Sequence, residues 1–402
     1  MFLEKEGKLI YSYDGETVCI EAWGKDALRV RATKNRSFTG RDWALEAKDA
    51  HAGEVEIFED PSAKGGAFAN MYEGTDTSYG KITNGKLHAV IDSGSVITFY
   101  HEDGRVLLKE HFRRLRDEES MPLNIMGREY SNGVGDNFRI VARFVARKGE
   151  KIFGMGQYQQ HELDLKGCML ELAQRNSQVS VPFYLSSIGY GFLWNNPGVG
   201  QVMFANNGTE WVTESGKEID YLVIAGDTPA EIEENYMTLT GKPPMMPEYG
   251  MGFWQCKLRY WNQEQLLSVA RKYKELGVPL DVIVVDFFHW TKQGEFKFDP
   301  KYWPDVPGMC RELKEMGIQV VVSVWPTVDI YSENFEEMKE KGYLVRTEHG
   351  VPLTMLCGGN EVFFDATNPD ARTYVWEKIK KNYYDQGAKL FWLDVAEPEE
   401  PM

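Results

Sequence analysis

The sequence predicts a multidomain chain of β then α/β class: a β-sandwich, followed by a (β/α)8 barrel represented by about four strands. Three observations predict it. Short alternating strands separated by hairpin dipeptides fill the first half. A proline-rich break stands near residue 243. Apolar runs alternating with amphipathic helices follow it.

In the first half the turn signals are Asp14-Gly15, Asn84-Gly85, Asp103-Gly104 and Asn207-Gly208. Each favours the positive φ that a tight hairpin needs. Lys86–Ile91 and Val96–Tyr100 read as strands between them. One helix closes this half: Thr228-Pro229-Ala230-Glu231 supplies an N-cap, a proline at the first helical position and the Glu of a capping box. Gly241-Lys242-Pro243-Pro244 then breaks the helix. The expected domains are 1–240, the sandwich with its closing helix, and 241–402, the first half of the barrel.

In the second half Gly252–Gln255 reads as a first strand. Asn262 caps a helix carrying Leu266, Ala270 and Tyr273 to a stop at Gly277. Val282–Val285 is the next strand, ending in Asp286, and a helix from about Val306 stops at Gly317. Val320–Val322 leads to Trp325-Pro326, Asn368-Pro369 opens another helix, and Leu390–Leu393 ends in Asp394. Continuous apolar strands between helices imply a parallel sheet covered by helices, with a doubly wound sheet as the alternative to a barrel. A whole barrel takes about 250 residues. The stretch from Pro247 to Met402 is well short of that, so the expectation is a barrel cut in half and a chain that is the front part of a longer enzyme.

Composition narrows the function. A net charge of −16 without a Lys/Arg cluster speaks against nucleic acid. No stretch approaches the ~20 apolar residues of a membrane span, and the charged start lacks a leader's apolar core, so a cytoplasmic location and no membrane partner are expected. The five cysteines are scattered, with neither zinc spacing nor a disulfide framework, and read as packing residues, Cys256 included. Nothing calls for a metal or an organic cofactor. Eleven Trp and 20 Tyr suit a protein that stacks sugar rings, and equally an aromatic core.

In a parallel barrel the reactive groups sit at the C-terminal strand ends. Asp286 and Asp394 both end apolar strands and both stand among Phe or Trp. One such Asp alone is an ordinary turn or cap; two at the same end of the sheet point to a site. Glycoside hydrolysis uses such carboxylates against an oxocarbenium-like transition state.

The match then becomes specific. Gly252-Phe253-Trp254-Gln255-Cys256-Lys257-Leu258-Arg259-Tyr260, Pro279–Asp286, Ser323-Val324-Trp325-Pro326 and Asp365–Pro369 resemble barrel segments of glycoside hydrolase family 31. Phe391-Trp392-Leu393-Asp394-Val395-Ala396-Glu397-Pro398 resembles that family's nucleophile motif. Phe153–Gln157 and Val181–Tyr184 resemble its N-terminal sandwich, and Gly154-x-Gly156 lacks the third glycine of a dinucleotide loop.

The resemblance implies a retaining α-glycosidase acting on a small oligosaccharide or α-glycoside, with Asp394 as nucleophile. Asp286 would hold sugar hydroxyls. Trp325 and Trp392 would line the subsite, with Trp254 and Arg259 near it and Glu397 supporting the nucleophile loop. The family's acid/base lies beyond the nucleophile by several tens of residues and has no equivalent here, so the 402-residue fragment alone is expected to be inactive. Phe288, where glucose-specific relatives carry an acid, favours an α-xyloside over an α-glucoside; Lys257 and Arg259 leave a sulfonated sugar open. A non-catalytic sugar-binding homologue is the competing class. Oligomeric state is not legible.

Overall fold

The computed structural model describes residues 1–61, 76–111, 113–114, 124–347, 350–354 and 360–397. Cys357 and Pro398 lie outside them. The chain divides into two compact units, Met1–Pro243 and Pro244–Met402.

The first unit is built from antiparallel sheets. The largest runs, in spatial order, Phe2–Lys5, Lys8–Tyr13, Glu16–Trp23, Ala27–Thr33, Ile219–Ala225, Tyr190–Trp194, Val179–Ser186 and Ile152–Gln157, with Ala50–His51 beside Glu16–Trp23. A second sheet joins Val106–Lys109, Ile97–His101, Leu87–Asp92, Tyr79–Asn84 and Glu54–Phe58. A third joins Arg128–Asn132, Phe138–Phe144, Thr209–Gly216, Gly200–Phe204 and Met169–Leu172. One continuous core takes inward residues from all three, among them Leu9, Ile20, Phe99, Phe144, Phe192 and Trp211. This is sandwich packing, in which alternate residues of each strand point inward. The dipeptides Asp14-Gly15, Asn84-Gly85, Asp103-Gly104 and Asn207-Gly208 each fall between paired antiparallel strands.

The closing helix, α1 (Pro229–Thr240), packs Ile232 and Leu239 into a smaller core with Trp23, Phe183 and Leu222. Thr228 accepts from the Glu231 N–H at 3.2 Å. The reciprocal half of the cap is displaced by one residue: the Glu231 carboxylate accepts from the Asp227 N–H, not from Thr228.

The second unit holds four parallel strands, β1 (Trp254–Gln255), β2 (Val282–Val285), β3 (Gln319–Val324) and β4 (Leu390–Leu393), adjacent in that order. The crossovers carry α2 (Gln263–Glu275), α3 (Val306–Glu315), α4 (Phe335–Glu340) and α5 (Pro369–Ile379). Asn262 caps α2 by accepting from the Gln265 N–H, and Asp305 caps α3 by accepting from the Gly308 N–H. Gly277 and Gly317, at φ 65° and 75°, close those helices in the left-handed region and turn the chain into β2 and β3. Ile283, Val285, Val320 and Val322 pack with the helices, whereas Val282, Val284 and Val321 face the other side with Tyr249. That alternation gives a sheet apolar on both faces, as half of a barrel requires.

Between β3 and β4 the structure adds α4 and a two-stranded ladder of Thr327–Asp329 with Glu361–Phe363. Neither is predicted from the sequence. Their apolar runs are too short for either periodicity to register.

Candidate active site

Parallel pairing brings the residues that follow β1 to β4 to one end of the sheet. In order across it they are Cys256, Asp286, Trp325 and Asp394. Register fixes their level, with Val285 opposite Val322 and Val324 opposite Leu393. Asp286 and Asp394 are thus two strand spacings apart, roughly 10 Å along the sheet, with Trp325 between them.

Each carboxylate is held by the backbone N–H just after it and by a side chain from a neighbouring strand end. Asp394 accepts from the Trp325 indole N–H on Oδ2 at 3.1 Å and from the Val395 N–H on Oδ1 at 3.0 Å. Asp286 accepts from the Phe287 N–H on Oδ1 at 2.8 Å, and its Oδ2 lies 3.5 Å from the Cys256 thiol. Just after each acid the backbone enters the left-handed region, at Phe288 (φ 61°) and Val395 (φ 60°). For a bulky or β-branched residue this is a strained conformation, costing about 1–3 kcal/mol.

Aromatic rings line the space between the acids. Trp325 stacks on Phe287 at 5.4 Å and meets Trp290 edge-on at 5.8 Å. Phe288 is 56% exposed, and the Arg259 guanidinium lies 5.5 Å from its ring and 3.6 Å over Trp261. Trp392 and Trp254 meet edge to face at 6.4 Å, both partly open to solvent. The predicted residues therefore form two groups, Asp394 with Trp325, and Asp286 with Phe288 and Arg259, joined through Phe287. Trp392 and Trp254 form a separate pair at the same sheet. Glu397 is half-buried three residues past Asp394, whose two hydrogen bonds come from Trp325 and Val395.

Two features escaped the sequence. Cys256 is not a packing residue: it is exposed at the end of β1 beside Asp286. Loss of hydration around the sulfur and the Asp286 charge push its thiol up to about 11, so it remains a thiol at neutral pH. Its position, directly after the last residue of β1, was the available signal. The second is Tyr383 as the partner of His289, which in the sequence, just beyond Asp286, reads as a satisfied loop histidine. His289 is buried, its Nδ1–H donating to the Asp286 carbonyl at 2.9 Å and its Nε2 accepting from the Tyr383 hydroxyl at 2.9 Å. Burial pushes the imidazole down to about 4, so it is neutral, and the carbonyl contact fixes the tautomer.

A cavity of about 450 Å³ lies against Val324, Leu393, Phe363 and Val375. Its lining is almost wholly apolar and does not suit a hydroxyl-rich ligand. Among the described residues no group of three or more His, Cys, Asp or Glu side chains could hold a metal ion, and no helix is long and apolar enough to cross a membrane.

Known proteins agree with this architecture. Residues 243–402 match the glycosyl hydrolases family 31 TIM-barrel domain, and residues 17–202 match the glycosyl hydrolase 31 N-terminal galactose mutarotase-like domain. A Pseudescherichia vulneris protein named as a family 31 glucosidase is 44% identical over 99% of this chain and 74% of its own length. Alpha-xylosidase A of Aspergillus niger is 31% identical over 95% of this chain and 52% of its own length. The crystal structure of a family 31 α-xylosidase from a soil metagenome, complexed with xylose, superposes with a TM-score of 0.89 at 47% identity, covering 100% of this chain and 58% of that one. The chain thus spans about half to three quarters of these relatives. With both halves of the chain matched in order, it belongs to glycoside hydrolase family 31.

Proposed function

We propose that this chain carries the nucleophile-bearing half of a retaining α-glycosidase site that releases a terminal α-linked sugar, with α-xylosides as the preferred substrates. The observation that carries the reading is the placing of Asp286 and Asp394 at the same end of parallel strands, with Trp325 between them donating to Asp394.

In this reading Asp394 attacks the anomeric carbon and forms a glycosyl ester. Its Oδ1 and Oδ2 are already held by Val395 and Trp325, so little reorientation is needed as charge develops. Asp286 accepts hydrogen bonds from sugar hydroxyls on its remaining lone pairs. The open faces of Trp392 and Trp254 flank the ring, and Glu397 supports the loop after the nucleophile. Retention needs a second carboxyl group about 5.5 Å from the first, acting as acid and then base; no residue of this chain is assigned that role.

Substrate choice rests on Phe288. Its exposed ring stands two residues beyond Asp286 and offers no hydrogen bond to a hydroxymethyl group, which suits a pentose. Relatives named as α-xylosidases support this. An α-glucosidase is the second reading, favoured by the relative named as a family 31 glucosidase.

The test uses the full-length product of the native gene. An activated fluorinated xylosyl donor should label the peptide carrying Asp394, and α-xyloside hydrolysis should exceed α-glucoside hydrolysis. Label on another residue, or unchanged turnover in Asp394→Ala, overturns the nucleophile assignment. Saturable sugar binding without turnover would instead establish a non-catalytic homologue.

A further inference from the structure

The first unit contains a cavity of about 720 Å³ formed by its own loops. The walls come from the segment 35–43, the turn at Asp136-Asn137, the loop Asn196–Gly198 and the residues Ser215–Glu218. This volume is in the range of small-molecule sites.

Its chemistry is unusual for a surface hollow. Glu218 is 4% exposed, yet among the described residues its carboxylate takes hydrogen bonds only from Thr39: the N–H to Oε2 and the hydroxyl to Oε1, both at 2.9 Å. Among the described residues no cation pairs with it; its neighbour Lys217 pairs with Asp136 at 2.8 Å. A buried carboxylate with spare lone pairs calls for further donors. Arg36 and Arg41 line the same cavity without a carboxylate partner among the described residues. Fixed charges of both signs therefore face one space, which disfavours an anion and a cation alike. A neutral ligand that both donates and accepts hydrogen bonds satisfies them together.

The cavity also carries an aromatic platform. Trp43 is 44% exposed and sits at φ 54°, a left-handed conformation that a bulky residue adopts only when its surroundings impose it. The imposing groups are buried beneath it. Arg29, fully buried, donates to the Asp42 carboxylate at 2.8 Å and to the Arg41 carbonyl at 2.9 Å. Asn195 donates to the Asp42 carbonyl at 3.1 Å and accepts from the Ala44 N–H at 3.3 Å. The backbone is thus pinned on both sides of Trp43, and the indole, with the Arg41 guanidinium 5.3 Å from its ring centre, is presented in part to solvent by a rigid support.

We propose that this cavity is a carbohydrate-binding site built from residues other than the Asp286 and Asp394 set. A pyranose lays its C–H face on Trp43, donates hydroxyls to Glu218 and to the side-chain oxygens of Asn35 and Asn196, and accepts from Arg36. The inference does not depend on hydrolysis, because it uses only residues of the first unit.

The test is titration calorimetry on the protein carrying Asp286→Ala and Asp394→Ala, with an α-xylosyl-glucose disaccharide, maltose, glucuronate and spermidine as separate probes. One of the neutral sugars should still bind saturably at one equivalent. Trp43→Ala should weaken it about tenfold, Arg36→Ala about threefold, and Trp43→Phe should retain most of the affinity. If Trp43→Ala does not fold, the exposed and unpaired Arg36 keeps the test open. Absence of neutral-sugar binding overturns the proposal, as does affinity unchanged by both Trp43→Ala and Arg36→Ala. So does a preference for glucuronate or spermidine. A change of oligomeric mass in Trp43→Ala with sugar binding intact would make this face a subunit contact instead, and equally overturns it.

Discussion

The Trp325 indole N–H donates to Oδ2 of Asp394 across 3.1 Å, linking the end of β3 to the end of β4. A hydrogen bond to a charged acceptor contributes about 1.5–3 kcal/mol. Trp325→Phe keeps a ring to stack on Phe287 but removes the donor. In the full-length enzyme kcat/KM should fall about tenfold to a hundredfold, carried by kcat. A change confined to KM would place Trp325 in sugar binding alone.

Cys256 should be exposed yet slow to react. Its thiol, pushed up to about 11 by lost hydration and by Asp286, has little thiolate at neutral pH. Iodoacetamide labelling, followed by peptide mass, should rise about tenfold per pH unit above neutrality. Asp286→Asn should speed it by removing the neighbouring negative charge. Fast labelling at pH 7 would mean the sulfur is not beside Asp286.

His289 makes the second unit acid-sensitive. Its pKa is lowered by burial to about 4, whereas an unfolded histidine titrates near 6.5. The unfolded chain therefore binds more protons between these values. The stabilisation is complete above pH 6.5 and is lost as pH falls toward 4, on the order of 3 kcal/mol in all. His289→Gln should be less stable than the parent at pH 7 but lose less stability between pH 6.5 and 4.5. Thermal melts of both proteins across that range are the check; parallel pH profiles would remove His289 as the cause.

Arg29 and Asp220 form a buried pair in the large sheet, with the guanidinium Nε donating to Asp220 Oδ1 at 3.0 Å. Asp220→Ala leaves the buried arginine with the partly exposed Asp42 carboxylate as its remaining ion-pair partner among the described residues. Urea denaturation should show a loss of about 3–5 kcal/mol from the first unit. Replacing both partners together by apolar residues should recover part of it. Loss near zero for Asp220→Ala would mean that Asp42 alone satisfies Arg29.

Elements with strong local chemistry were legible. Asn262 caps its helix because a short polar side chain beside an amphipathic run reaches its own third N–H; the Asp305 cap of α3 emerges only in the structure. Val282–Val285 and Leu390–Leu393 are unbroken apolar runs, and an Asp closes each. What stayed hidden depends on distant partners. Glu231 turned to Asp227 rather than Thr228 because its carboxylate also serves Lys86 at 2.7 Å. Tyr383 could not be tied to His289 across a separation of 94 positions.

The sequence by itself determined the β-then-α/β order, the limits of the capped helices and apolar strands, and which acids end which strands, because caps, turns and hydrophobic periods are local. Tertiary structure alone decided that Trp325 faces Asp394, that Cys256 stands beside Asp286, and that Arg29 pins the loop carrying Trp43. These contacts follow from strand order, register and burial, which arise only when residues far apart in the chain compete for the same core.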